Sequence, residues 1–111
     1  MAVEAQVFGR NSSNDTKKAL RFFKERRIKV HFVDLDQRPA AAGELRRFGQ
    51  KYGWHALLNI EHKPPTLTEA HVIPMLERNP KWLTIPLVRI GNELAVGWDE
   101  PRWREFLRNA S

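Results

Sequence analysis

The chain reads as an α/β fold: a four-stranded mixed sheet flanked by helices, ordered βαβ…ββα, with an extra helical insert between the halves. Three observations predict it. Two period-two runs, 3–8 and 28–35, enclose a stretch with helical spacing, which implies a right-handed crossover and a parallel pair. Two further runs, 86–90 and 94–96, meet across Gly91-Asn92 as a hairpin and therefore pair antiparallel. Between the two halves lie helical and irregular stretches. With 111 residues, 41% of them apolar, the chain is expected to form a single domain over 1–111 with its own core.

The elements follow in order. Val3, Ala5 and Val7 alternate ahead of Gly9, so the first strand covers Val3 to Phe8. Ser12-Ser13-Asn14-Asp15 comes next, four residue types that favour helix starts. Ser12 and Asp15 have the spacing of a capping box, and Asp15 suits the positive end of the helix dipole. Ala19, Leu20, Phe22 and Phe23 supply the apolar stripe, and the helix should stop near Arg26-Arg27. Ile28 to Leu35 is the second strand. Asp36-Gln37-Arg38-Pro39 makes a turn, with Pro39 in the first turn of a second helix. That helix runs from Ala40 to Tyr52, points Leu45 and Phe48 inward and closes at Gly53 as a left-handed cap.

Residues 54–65 read as irregular, and Thr68 to Glu77 as a short helix interrupted or bent at Pro74. Pro86 cannot donate to a ladder, so it belongs at a strand's start, and a cis Ile85–Pro86 bond is expected there. Asp99 caps a last helix with Pro101 in its first turn and Trp103, Phe106 and Leu107 as its buried stripe. Trp82, Trp98 and Trp103 are all expected in the core.

Composition removes several function classes. The chain contains no cysteine, which excludes disulfides, thiolate metal sites and thiol chemistry carried by this chain alone. His31, His55, His62 and His71 show no i, i+4 pair, so no metal site is expected. Glu61, Glu69, Glu77 and Asp99 form no acid/base pair. No run approaches the roughly 20 apolar residues of a membrane helix, so no membrane association is expected. The opening Met-Ala-Val-Glu-Ala-Gln lacks signal-peptide features, and a cytoplasmic location is expected. The net charge of +6 concentrates in Lys17, Lys18, Arg21, Lys24, Arg26, Arg27 and Lys29. Such an excess attracts anions, yet no nucleic-acid motif accompanies it, and direct nucleic-acid binding is not expected.

Two constellations carry more. Phe8-Gly9 leads into Ser13-Asn14-Asp15-Thr16-Lys17-Lys18-Ala19, and Asn79-Pro80-Lys81-Trp82-Leu83-Thr84-Ile85-Pro86 leads through a strand to Val96-Gly97-Trp98. From about Val7 to Leu107 these residues resemble the glutaredoxin-linked arsenate reductases and their relatives, the Spx transcription regulators, which share a thioredoxin-like fold. Ser13 stands at the family's cysteine, and 13–19 follows its Cys-x-Thr-x-Arg-Lys-Ala element without gaps.

The resemblance implies a reactive thiolate and two oxyanion-holding arginines, and all three positions differ here. The nucleophile position is Ser13; the arginine positions are Asn59, through the match at Leu57-Leu58-Asn59, and Ile85. A serine attacks only with an adjacent base, and no histidine lies near Ser13 in sequence. The chain is therefore expected to be noncatalytic and to bind a protein or small anionic ligand. Ligand-binding candidates are Ser13, Asn14, Asp15, Thr16 and Lys17 at the helix mouth and Ile85 and Pro86 opposite it. Arg21, Arg26 and Arg27 are the candidate partner surface. Gly53, at the Spx-type glycine, adds a candidate contact with the RNA polymerase alpha subunit. No cofactor is expected beyond glutathione as a candidate ligand. Two alternatives stand beside this reading: a residual glutathione-associated reductase or transferase using a partner's thiol, and an Spx-like regulator.

Overall fold

The structure, a computed structural model, describes residues 3–64 and 66–110. Its elements are β1 (Glu4–Gly9), α1 (Asn14–Glu25), β2 (Lys29–Asp34), α2 (Ala42–Tyr52), α3 (Glu69–Arg78), β3 (Leu87–Ile90), β4 (Glu93–Val96) and α4 (Glu100–Ala110), with 3-10 turns at Trp54–Leu57 and Pro80–Trp82. The chain gathers into two compact units, one from 1–38 with 85–111 and the other from 39–84.

The first unit holds the sheet, in the order β2-β1-β3-β4. β1 pairs parallel with β2, Ala5 opposite Val30 and Val7 opposite Phe32. It pairs antiparallel with β3, Val7 opposite Val88, and β3 pairs antiparallel with β4. This is the predicted four-stranded mixed sheet. Alternation decides its packing. Ala5, Val7, Val88, Ile90 and Ala95 share one face with Ala19, Phe22 and Phe23 of α1 and Trp103 and Phe106 of α4 in a single buried cluster. Phe22 and Phe23 each lie 5.5 Å from the Trp103 ring, so the two helices occupy the same side of the sheet. The indole Nε1 of Trp103 is buried without a hydrogen-bond partner.

α1 ends differently from a simple charged terminus. Ile28 N donates to Phe23 O and Arg27 N to Lys24 O, the paired bonds of a Schellman motif, with Arg27 at φ 58° in the position glycine usually takes. At the other end of the unit Asp99 caps α4 as expected, accepting from Arg102 N at 3.2 Å. The Ile85–Pro86 bond is cis.

The second unit is helical. α2 buries Leu45 and Phe48, α3 buries Val72 and Leu76, and Leu57, Leu58 and Leu83 are buried beside them in sequence. Arg46 joins α2 to α3 through two hydrogen bonds to the Glu69 carboxylate, at 2.7 and 3.0 Å. The stretch read as irregular over 54–65 opens with a 3-10 turn at Trp54–Leu57, and its last residue lies outside the described residues. α3 runs from Glu69 to Arg78 as one helix through Pro74. Pro39 precedes the first residue of α2 by three positions and so lies outside its first turn.

Three expectations need correction. Gly53 has φ 89° and ψ 147°, an extended backbone of positive φ rather than a left-handed helical cap. Trp98 is 44% exposed, and Trp82 is only half-buried, leaving Trp103 as the core tryptophan of the three. The helix cap before α1 is Ser13, not Ser12.

Candidate functional site

The mouth of α1 is built from a turn. Ser13 N donates to Arg10 O at 3.0 Å, closing Arg10–Ser13 and leaving Asn11 and Ser12 as its exposed corner. The turn spends Ser12 and hands the cap to the next residue. Ser13 is extended, its carbonyl accepts the first helical bond from Lys17, and its Oγ accepts from Thr16 N at 3.1 Å. The hydroxyl oxygen of Ser13, the residue that the sequence resemblance sets at the nucleophile position, is thus engaged in holding the helix together.

Thr16 is equally committed. It is fully buried, its Oγ1 accepts from Arg10 N at 3.4 Å, and a Cβ on Gly9 would collide with its hydroxyl and methyl groups. Gly9 is therefore required by close approach. The Thr16 side chain is enclosed by the protein and not open to solvent. Asn14 and Lys17 are exposed and Asp15 is half-buried.

Arg10 was not singled out by sequence. It is 9% exposed, and its guanidinium lies 3.2 Å from Asp36, just past β2. Asn11 reaches Asp34 at 3.4 Å, and Leu35 N donates to Gly9 O. These contacts tie the turn before α1 to the turn after β2, across 26 residues of sequence in the case of Arg10 and Asp36. No local pattern reports such a pair, so only the fold could reveal it.

Ile85 is half-buried and Pro86 buried. The pairing of Phe8 with Leu87 sets Pro86 at the end of the sheet where β1 runs into the α1 turn, and Pro86 O accepts from Gly97 N at 2.8 Å. Helix mouth and proline strand thus share one end of the first unit. Asn59 and Gly53 belong to the second unit. Asn59 is not poised for an anion: its Nδ2 donates to the carbonyls of Lys81 and Leu83, at 2.8 and 3.3 Å, and its backbone N to Trp82 O. It clips the Leu58–Leu83 bridge.

Arg26 is fixed on the side of α1. Its guanidinium carbon lies 3.7 Å from the Phe22 ring centre, and its Nη1 donates to Phe22 O at 3.0 Å. Arg21 and Arg27 are exposed. Among the described residues no group of three or more His, Asp or Glu side chains could hold a metal, and no helix is long and apolar enough to cross a membrane. A depression of about 490 Å³ near Glu4, His31 and Arg89 contains none of the predicted site residues.

No family model and no curated protein sequence matches the chain. Solved structures do match over nearly its whole length. The YFFB (PA3664) protein superposes with a TM-score of 0.80 at 20% identity, covering 93% of this chain and 98% of that one. Arsenate reductase from Vibrio cholerae gives 0.80 at 14% identity, covering 96% and 99%. An arsenate reductase (ArsC) related protein from Brucella melitensis gives 0.66 at 20% identity, covering 96% and 95%. The chain has the fold of the ArsC-like proteins, carried by a sequence without cysteine.

Proposed function

We propose that this chain is a member of the arsenate reductase-like family that has lost arsenate chemistry and acts by binding a protein or small anionic ligand. One observation carries the reading: Ser13 Oγ accepts the Thr16 amide at 3.1 Å, so the position that would attack arsenic serves as a helix cap. Asn59 supports it, since its amide is occupied by two carbonyls. Ile85, at the other arginine position, offers an aliphatic side chain with no charge for an oxyanion. A serine nucleophile would need a base to take its proton, and its cap bond leaves the hydroxyl oriented by the helix instead.

The test is arsenate reduction by the purified protein with glutathione, glutaredoxin and glutathione reductase, read as coupled NADPH oxidation. The expected result is a rate equal to the protein-free background; sustained turnover overturns the reading. Glutathione itself is tested separately by an amide-shift titration. Saturable shifts confined to Asn14–Thr16 and Ile85–Leu87 would replace the proposed reading with the glutathione-associated one.

A further inference from the structure

We infer that the outward groove between α1 and α4 docks an acidic segment of a partner protein. The inference rests on the noncatalytic binding reading and names the chemistry of its partner. Two depressions, of about 230 and 440 Å³, lie along this groove, and Arg26 and Arg104 line both. At its centre both guanidinium groups sit over a single ring: Arg26 at 3.7 Å and Arg104 at 5.4 Å from the centre of Phe22.

That arrangement favours an anion. Two like charges are held together by a ring that is itself only 4% exposed, and the attraction of each to the π face fixes both. Arg26 commits Nη1 to Phe22 O and Arg104 Nη2 approaches Glu100 at 3.5 Å, single contacts for guanidinium groups that each carry five N–H donors and line the groove. A carboxylate accepts two such donors in parallel. Around this centre the lining alternates. Lys18 lies 5.5 Å over the exposed Trp98 ring at one end, and half-buried Ile28 and Leu107 floor the other. Trp98 is braced edge-on by Trp103 at 5.0 Å, a rigid apolar anchor beside cations.

Glu25 and Glu100 decide between kinds of polyanion. A nucleic-acid backbone carries charge at every step and would set phosphates against both carboxylates, while one exposed indole gives one stacking platform. A peptide can place apolar residues against Trp98 and Leu107 and carboxylates only where the arginines are.

Fluorescence anisotropy tests this with a fluorescein-labelled peptide of about 12 residues alternating Asp with Leu and Phe, compared with a labelled single-stranded RNA of similar length. The expected result is saturable, salt-weakened peptide binding. Arg104→Glu should weaken it by about tenfold or more, Trp98→Ala should weaken it also, and Arg89→Ala on β3 should leave it unchanged. Arg104 and Trp98 are exposed, so both variants should fold, with circular dichroism as the control. No binding at about 1 mM peptide, equal loss in Arg89→Ala, or tighter binding of the RNA would overturn the inference. Such a failure with arsenate turnover still absent removes only the groove; turnover would remove the noncatalytic reading beneath it.

Discussion

Ser13 hydrogen-bonds the third amide of its own helix, a role any Ser, Thr, Asp or Asn could fill. Ser13→Ala should therefore destabilise the fold by about 1 kcal/mol, and Ser13→Asp by much less, read as a shift of the urea midpoint at constant slope. Arg27 shows the opposite situation. It holds φ 58° at the end of α1 because the Schellman bonds require it, and a residue with a Cβ pays for that conformation. Arg27→Gly should raise stability by about 0.5–1 kcal/mol despite the greater freedom glycine gives the unfolded chain. Gly9→Ala should do the reverse, because the new methyl meets a fully buried Thr16 that has nowhere to move. Gly53→Arg, the substitution that an RNA polymerase contact would suggest, also forces a side chain onto φ 89°, ψ 147°. That strain costs about 1–3 kcal/mol, so lost partner binding in the variant must be judged against its own stability.

At the scale of elements, the Arg46–Glu69 pair couples α2 to α3. The hydrogen bond from Arg46 holds the Glu69 carboxyl below the usual carboxylate range, with the Arg46 charge acting in the same direction. The folded pKa is depressed, so the pair's contribution is present above the unfolded carboxyl's pKa and is lost as pH falls through the folded one. The stability difference between the wild type and Glu69→Gln should thus be present at neutral pH and vanish in acid; a difference independent of pH would contradict the assignment. Such element pairings were largely hidden in the sequence, whereas the elements themselves were not. The period-two runs marked β1 and β2, and Gly91-Asn92 between two apolar runs marked the β3–β4 hairpin. The cap was misplaced by one residue because Ser12 and Ser13 have the same chemistry, and only the Arg10–Ser13 turn distinguishes them. A tryptophan at the turn before the last helix reads as core, yet the edge-on contact of Trp98 with Trp103 leaves 44% of it in solvent. Of the candidate site, the helix mouth was legible as a motif. The burial of Thr16 and the Arg10–Asp36 pair depend on chain segments far apart in sequence.

Across the molecule, the chain has the fold of the ArsC-like proteins, and the residues that the resemblance sets at reactive positions do structural work. Ser13 caps α1, Asn59 clips two carbonyls, and Lys18, Arg21, Arg26 and Arg104 line one groove along α1 and α4. Fold and reactivity separate readily because the sheet and its core are specified by dozens of apolar positions, while the chemistry needs only a few polar ones. The most direct measurement is made on Ser13→Cys. A thiol at this helix start, followed by Lys17 and Lys18, should have its pKa lowered from the usual value of about 8.5 and react readily with Ellman's reagent. With Asn59 and Ile85 at the positions that the resemblance gives to arginines, the variant should nevertheless show no arsenate turnover above background with glutathione and glutaredoxin. Multiple-turnover arsenate reduction restored by that single substitution would contradict the account.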